Sequence, residues 1–373
     1  MKIEVLQENF SKSLYIASRF TSSKVQLPVL ANLLLKAEKN RLLIAATNLE
    51  TSISLYIGIK VEEEGEITVP ARTLNELVSN IRAGQLKIDV EKEKINIKSE
   101  GFESSVLGMN SSDFPKIPLV LPEDNFKIQT EFFSQALSQI LFAVSQDETR
   151  PALTGVLIIC SKGKLTLVST DGFRLSQKII SVPEVKTEFK LILPKNALGE
   201  LTRLFAEAED IGFSFNDKEN QVLFGVSNAI LASRVIEGDF PDFKRIIPTS
   251  SLLNIYLDKD ELLRAVKLAS VFARDAANVV KFSVLKDSIE VLAESSQSGS
   301  QKTKVDAKVE DVGGVLDKEF VIAFNFRFLE DFLNSLNGDD IKIGLTDPNS
   351  PVLFLDTSDK EYMHIIMPVR LQT

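Results

Sequence analysis

Few residues in this chain of 373 have the types and spacing that chemistry requires. The single histidine, His364, lies in a strand-like run, and the single cysteine, Cys160, ends the apolar run 156–160. These counts exclude a two-histidine metal site, a cysteine cluster and a disulfide within one chain. A strand histidine without a nearby acid and a cysteine in an apolar run are both typical of a packed core. We therefore predict no catalytic residue and no metal ligand among them.

Acidic side chains offer the other candidate chemistry. The glutamate-rich segment 62–66 and the aspartate pair 339–340 contain oxygen ligands of the kind that metal ions bind. Both lie where we predict solvent-exposed loops, so we expect no metal there. A catalytic pair of carboxylic acids is not excluded, because 52 acidic residues always offer pairs, but no feature of the sequence identifies a particular pair. Neither common glycine-rich phosphate-binding pattern occurs.

Composition is that of an ordinary globular protein, with 44% hydrophobic and 25% charged residues. The formal charge of −9 argues against a protein that coats itself in nucleic acid, since phosphate binding needs Lys and Arg. The sequence has one cysteine, no apolar leader and no run of the ~20 apolar residues that a membrane helix needs. We therefore expect a cytoplasmic protein.

The elements that must position any site repeat three times along the chain. Asn48, Asp171 and Glu294 follow similar apolar runs at spacings of 123 residues. The phrase Asp-Phe-Pro at 113–115 returns 126 residues later, and Met-Pro at 367–368 follows after a further 127. Several markers that agree on one period indicate repeated structural units.

Each repeat has the same predicted content. A short strand leads into a helix with apolar residues three and four apart, such as Phe10, Leu14 and Ala17, and a second helix comes in mid-repeat. Other segments alternate apolar and polar residues, which is typical of antiparallel sheets with one buried face. The predicted helices cover 8–20, 71–82, 131–144, 195–206, 258–274 and 325–336. We predict an α+β protein of three similar domains, each with two helices packed on antiparallel sheets, over residues 1–123, 124–250 and 251–373.

Charge is distributed unevenly between these elements. The six predicted helices carry +2 together, which leaves −11 for the rest of the chain. Two interpretations stay open. The helices either collect solvent-exposed charge, or share one neutral to basic surface that tolerates phosphate while the acidic remainder repels it.

Several unrelated phrases in a fixed order carry a resemblance over the whole length. They are LPVLANLLL at 27–35, TVPAR at 68–72, TDGFRL at 170–175, GDFPDF at 238–243 and MPVRL at 367–371. In these phrases the chain resembles the bacterial sliding clamp family, the beta subunits of DNA polymerase III. The resemblance implies the DNA clamp fold and a head-to-tail homodimer, whose twelve helices line the hole of a closed ring. It implies pairing of edge strands near 102–108 and 295–305, with helix 71–82 near Val271 and Phe272.

The function that the resemblance implies is processivity without catalysis and without a cofactor. A ring that holds DNA by topology needs only weak phosphate contacts, which carry no sequence information. The implied partners are encircled duplex DNA, the replicative polymerase alpha subunit, the clamp loader, and other polymerases and repair proteins with short peptide motifs. The implied DNA-facing residues are Lys12, Lys24, Arg72, Arg150 and Lys195.

The second implied site is a peptide-binding cleft with an adaptable apolar trough. Arg174, Arg245 and Arg370 are expected at its rim, where they meet polar peptide groups. Phe173 stands where the family often has histidine, and Gln372 and Thr373 extend past its usual end. The implied cleft residues are Leu153, Thr170, Gly172, Phe173, Arg174, Leu175, Pro241, Arg245, Ile246, Pro351, Ile365, Met367, Pro368, Val369, Arg370 and Leu371.

Alternatives remain at this level. Without the resemblance, Leu153, Leu175 and Ile365 are better interpreted as plain core residues. A scaffold of the same fold that binds proteins but encircles no DNA is a second possible function. A carboxylate hydrolase is a third, and it predicts a buried acidic pair in a cleft.

Overall fold

The computed structural model describes residues 1–22, 27–184, 188–205, 208–317 and 320–371. These residues form six α-helices and 26 strands in four antiparallel sheets, which is the predicted α+β class. The predicted helices are confirmed, but each ends before its predicted C-terminal limit, and the third changes to a 3₁₀ turn over Leu141–Ala143. The helices are α1 (Gln7–Ser18), α2 (Ala71–Ser79), α3 (Thr130–Ile140), α4 (Lys195–Thr202), α5 (Lys259–Ala273) and α6 (Phe326–Asn334). Within the described ranges, no helix is long and apolar enough to cross a membrane.

The chain divides into two compact units that do not follow the three sequence repeats. Unit 1 holds residues 1–130 and 196–235, and unit 2 holds 131–195 and 236–373. The second repeat is thus shared between both units. The domain limits at 123 and 250 stay a prediction.

Unit 1 contains a five-stranded sheet in the order β5-β1-β7-β8-β9. Its strands are β1 (Lys2–Leu6), β5 (Lys60–Glu63), β7 (Gln85–Glu91), β8 (Lys94–Ser99) and β9 (Phe102–Leu107). The prediction of a loop at 62–66 was wrong, because Glu63 in β5 pairs with Lys2 in β1 and the next strand begins at Gly65. An edge strand tolerates such charged residues, since its outer side faces water.

The eight-stranded sheet of unit 1 has the order β10-β15-β16-β17-β4-β3-β2-β6. The strands from the first repeat are β2 (Asn32–Glu38), β3 (Arg41–Thr47), β4 (Thr51–Gly58) and β6 (Gly65–Pro70). Those from the second are β10 (Phe126–Gln129), β15 (Asp210–Asn216), β16 (Gln221–Val226) and β17 (Ala229–Arg234). Helix α1 packs against α2, β3 and β4. Its predicted apolar side chains Phe10, Leu14 and Ala17 are fully buried.

Unit 2 contains a nine-stranded sheet in the order β14-β11-β12-β13-β26-β25-β24-β18-β22. Its strands from the second repeat are β11 (Gly155–Ser161), β12 (Lys164–Thr170), β13 (Arg174–Ser181) and β14 (Phe189–Pro194). Those from the third are β18 (Leu253–Asp258), β22 (Lys308–Asp311), β24 (Asp340–Leu345), β25 (Val352–Asp356) and β26 (Tyr362–Ile366). A four-stranded sheet, β21-β20-β19-β23, completes unit 2. Its strands are β19 (Val279–Val284), β20 (Ser288–Ser295), β21 (Gly299–Asp306) and β23 (Phe320–Asn325).

Helices α5 and α6 begin at side-chain caps. Asp258 accepts a hydrogen bond from the Glu261 backbone N–H at 2.8 Å, and Asn325 accepts one from Arg327 at 3.0 Å. Such caps satisfy N–H groups that have no partner in the first helical turn. The buried faces of both helices join one core of unit 2 that includes Phe354.

Equivalent strands follow the same order in every repeat. The sets β6-β2-β3-β4, β14-β11-β12-β13 and β23-β19-β20-β21 correspond, and so do β1-β7-β8-β9, β10-β15-β16-β17 and β18-β24-β25-β26. In two places an outer strand of one set pairs with an outer strand of the next repeat, β4 with β17 and β13 with β26. Strand β21 corresponds to β4 and β13, and strand β9 corresponds to β17 and β26. Among the described residues, β21 and β9 each pair with a neighbour on one side only.

Candidate functional site: an apolar cleft at the β13–β26 strand pair

The candidate cleft lies entirely in unit 2, where β13 and β26 join the second and third repeats. Leu175 faces Ile365 in this pairing, and Ser176 faces His364. Leu175 and Ile365 are fully buried in an apolar cluster that also contains Leu153. The three residues therefore form core in this structure, as the alternative interpretation predicted.

Other apolar members of the sequence-predicted set are exposed to solvent. Phe173 exposes 62% of its surface, and Ile246 and Leu371 are also classed as exposed. Pro351, Met367, Pro368 and Val369 are partly exposed. Such side chains are what an incoming ligand contacts first, and burying them against an apolar partner is favourable.

The turn over 170–174 is closed by its own hydrogen bonds. The Thr170 hydroxyl donates to the Arg174 carbonyl at 2.6 Å, and Asp171 accepts from the backbone N–H groups of Phe173 and Arg174 at 2.9 and 3.0 Å. Gly172 has φ +93°, a conformation that costs a residue with a Cβ atom. The sequence TDGF therefore fixes where the Phe173 ring leaves the sheet.

Arg174 differs from its predicted role. Only 10% of its side chain is exposed. The guanidinium donates to Asp171 at 3.0 Å, to Asp331 at 2.6 Å and to the Phe142 carbonyl at 2.7 Å. It also lies over the rings of Phe142 and Phe328, at 5.3 and 4.5 Å from the ring centres. Because three of its five N–H donors are already used inside the protein, Arg174 is held in place rather than free at a rim.

The other two predicted rim arginines are exposed. Arg245 pairs with Asp242 at 2.8 Å on a short 3₁₀ turn, and its side chain is mostly in solvent. An exposed ion pair contributes little, so Arg245 can exchange Asp242 for a ligand group. Arg370 is exposed on the segment after β26, and Pro241 and Gly172 are exposed as well, whereas Thr170 is buried.

The segment after β26 is tied to two neighbours. The Met367 N–H donates to the Phe173 carbonyl at 2.8 Å, and the Val369 N–H donates to the Ala323 carbonyl at 2.8 Å. The turn and this segment are therefore connected directly. The extension Gln372-Thr373 lies outside the described residues.

His364 and Cys160 are core residues, as predicted. His364 is fully buried, and its Nδ1 is 2.7 Å from the Ser176 hydroxyl. Burial, with repulsion from Arg174, holds the pKa of His364 well below its ordinary value, so the ring is neutral. Burial raises the pKa of the Cys160 thiol to about 11. Across the described part of the chain, no cluster of three His, Cys, Asp or Glu side chains could hold a metal ion.

The predicted DNA-facing residues fall in both units. In unit 1, Lys12 is exposed on α1, and Arg72 is highly exposed on α2, paired with Glu76 at 2.9 Å. In unit 2, Arg150 pairs with Asp147 at 3.2 Å. Lys195 opens α4, where burial, followed by repulsion from Arg174, lowers its pKa. Lys24 lies outside the described residues.

Sequence reasoning missed the residues that hold Arg174. Asp331 was counted only as charge on a predicted helix, and Phe142 and Phe328 fell within predicted helices without an assigned role. Asp331 is 157 residues from Arg174, and no local spacing connects them. Only the pairing of β13 with β26, which unites the two repeats in one sheet, points to such a contact.

Three equivalent strand sets, pairs of helices and sheets shared across repeats define the class of protein as the DNA clamp fold. Comparisons with known proteins agree over the full length. Family models of the DNA polymerase III beta subunit match its N-terminal domain at residues 1–118, its central domain at 127–242 and its C-terminal domain at 244–370.

Similar proteins and solved structures span nearly the whole chain. The beta sliding clamp of Staphylococcus aureus is 27% identical over 99% of both chains, and that of Synechocystis is 29% identical over 100% of both. The DNA polymerase sliding clamp from Bacillus subtilis has a TM-score of 0.94 and 26% identity over 100% of both chains. The DNA polymerase III beta chain from Streptococcus pneumoniae has a TM-score of 0.92 and 25% identity over 99% of this chain and 100% of that one. The chain belongs to the DNA polymerase III beta subunit family.

Proposed function

We propose that this protein is a DNA sliding clamp. Two copies close head to tail into a ring that encircles duplex DNA and tethers the replicative polymerase for processive synthesis. The observation that carries the proposal is that β9 and β21 each have one strand edge with no partner among the described residues. Their counterparts pair within the chain, as β17 with β4 and β26 with β13.

The two edges are suited to each other chemically. An exposed edge presents free N–H and C=O groups, so it is a template for another strand. Strand β9 carries Glu103 and the 76%-exposed Leu107, whereas β21 carries Lys302 and Lys304. Each copy has one edge of each kind, so two copies can satisfy all four edges in a closed, heterologous contact.

Weak contacts to DNA are expected from the paired cations. A phosphate must compete with Glu76 for Arg72 and with Asp147 for Arg150. Contacts of this kind fit a ring that slides on any sequence, since phosphate contacts do not read bases. Replacing Arg72 with alanine should therefore barely change retention of the ring on DNA.

The apolar cleft supplies the attachment of partners. Phe173, Ile246 and Leu371 are exposed, and an extended peptide with one or two large apolar anchors would bury such side chains. The polymerase alpha subunit, the clamp loader, other polymerases and repair proteins are the expected peptide donors. In this role the protein is cytoplasmic, non-catalytic and independent of any cofactor.

Retention on circular DNA tests the proposal directly. The clamp is loaded by its clamp loader onto nicked circular duplex and separated from free protein by gel filtration. We expect the clamp to stay with the circle and to leave when one restriction cut linearises it. Retention that survives linearisation would indicate ordinary DNA binding. Failure to stay on any circle, while peptide binding is intact, would favour a protein-binding scaffold instead.

A further inference from the structure

The turn that carries Phe173 is held from outside the cleft by helix α6. The link runs from Asp331 on α6 through the Arg174 guanidinium to the turn over 170–174. Asp331 is not one of the predicted cleft residues, and its side chain is partly exposed. We propose that Asp331 is a positioning residue of the peptide cleft, which acts on bound peptide only through Arg174. This inference rests on the proposed peptide-binding function.

The first step is the fixed geometry of Arg174. Its three hydrogen-bond acceptors come from three separate parts of unit 2, namely the turn itself, the 3₁₀ segment at Phe142 and helix α6. The guanidinium also stacks near Phe328, which belongs to the same helix as Asp331. Charge-assisted hydrogen bonds are roughly twice as strong as neutral ones. Together these contacts hold the largely buried Arg174 side chain in a single position.

The second step is the connection from Arg174 to the cleft surface. Asp171 binds the Arg174 side chain with one carboxylate oxygen and the Phe173 and Arg174 backbone N–H groups with the other. The Phe173 carbonyl in turn accepts the Met367 N–H. Displacement of Arg174 therefore disturbs the bases of both Phe173 and Met367, the aromatic and thioether sides of the cleft.

The third step is the loss expected without Asp331. Asp331→Asn keeps the shape of the side chain but removes the charge that balances the guanidinium. Lys195 also repels Arg174, and after the substitution Asp171 is the carboxylate that still pairs with the guanidinium. We expect the turn to become more mobile, so that ordering it when the peptide binds reduces the net free energy of binding.

The matched control is Glu330→Gln. Glu330 precedes Asp331 on α6 and loses the same charge on substitution, but the cations near it are Lys267, Arg274 and Arg327. A general effect of charge on α6 would appear in both variants. An effect that acts through Arg174 appears only in Asp331→Asn.

The experiment is a double-mutant cycle on peptide affinity. The probe is a fluorescein-labelled peptide from the clamp-binding segment of the cognate polymerase alpha subunit, and anisotropy gives Kd for wild type, D331N, R174Q and the double variant. We expect D331N to weaken binding by roughly 3- to 30-fold, within the range of coupled neighbours. In the R174Q background D331N should have no further effect, and E330Q should match wild type.

Hydrogen exchange of the free protein gives a readout that does not need the peptide. The Phe173 and Met367 amides should exchange faster in D331N than in wild type or E330Q, with an unchanged thermal midpoint. Wild-type affinity in D331N, or additive losses in the double variant, would overturn the positioning role alone. Absence of peptide binding by the wild type would instead overturn the proposed cleft, and this role with it.

Discussion

Phe173 offers the most direct test of the cleft, because its ring is largely in solvent before any ligand arrives. Replacing it with alanine should weaken peptide binding without destabilising the fold. Exposed substitutions away from caps and networks usually change the free energy of unfolding by less than about 0.5 kcal/mol. The backbone hydrogen bonds of the turn do not involve the ring and remain in the variant.

The expected magnitude follows from the exposed area. Phe173 exposes 62% of its surface. Since a phenylalanine offers on the order of 200 Å², about 120 Å² is open to a ligand. If a peptide covers half of that, burial at ~25 cal/mol per Å² contributes about 1.5 kcal/mol. Loss of the ring should therefore raise Kd by roughly tenfold.

The assay is anisotropy of the labelled polymerase peptide, with Phe132→Ala as the control. Phe132 is also a half-exposed phenylalanine of unit 2, but it lies on α3 and outside the predicted cleft. We expect the control to bind the peptide like wild type. An equal Kd for both variants, or a change below twofold in Phe173→Ala, would refute the assignment of this surface.

Three further predictions concern the edges and the buried groups. Leu107→Glu on β9 should convert the dimer to monomer in sedimentation analysis, whereas Val312→Glu, at an equally exposed site beyond β22, should leave it dimeric. The Cys160 thiol, with its pKa near 11, should resist iodoacetamide at pH 8 in the native protein and react in urea; fast native labelling would contradict its burial. Because burial holds the pKa of folded His364 well below its ordinary value, this residue does not reduce the free energy of unfolding at pH values above the unfolded-state pKa of about 6.5. As the pH falls below that value, the free energy of unfolding should decrease by up to ~1.4 kcal/mol per pH unit because of this group. Urea titrations between pH 5 and 7 should show a smaller slope for His364→Gln, and an unchanged slope would contradict this account.

The sequence was sufficient for the helices and the repeated plan, because both depend on periodicity. Buried side chains recur at helical spacing in α1, and Pro70 and Pro194 directly precede α2 and α4. The edge strand at 60–63 was missed because consecutive glutamates hide any alternation, and its pairing with β1 is a long-range contact.

The candidate cleft could be predicted only in part. The residues came from a resemblance; all of them belong to unit 2, where β13 and β26 set Leu175 opposite Ile365, and their joint role as a cleft stays a prediction. The burial of Leu175 agrees with the alternative interpretation of it as core, but the exposure of Phe173 was not predictable, since the two residues look equally apolar in the sequence. The role of Arg174 was missed for a related reason, because its acceptor Asp331 is distant in the chain and near only after the sheet has formed.

The strand pairs between repeats limit how this protein can be dissected for experiments. A recombinant fragment cut at the predicted boundaries 124–250 would contain β13 without β26 and β17 without β4. Both strands would then present bare hydrogen-bonding edges, which promote aggregation. A fragment over 124–373 would keep the β13–β26 pair and its cleft, but would still leave β17 uncovered. The practical unit for expression and screening is therefore the whole chain, although its sequence repeats suggest three independent pieces.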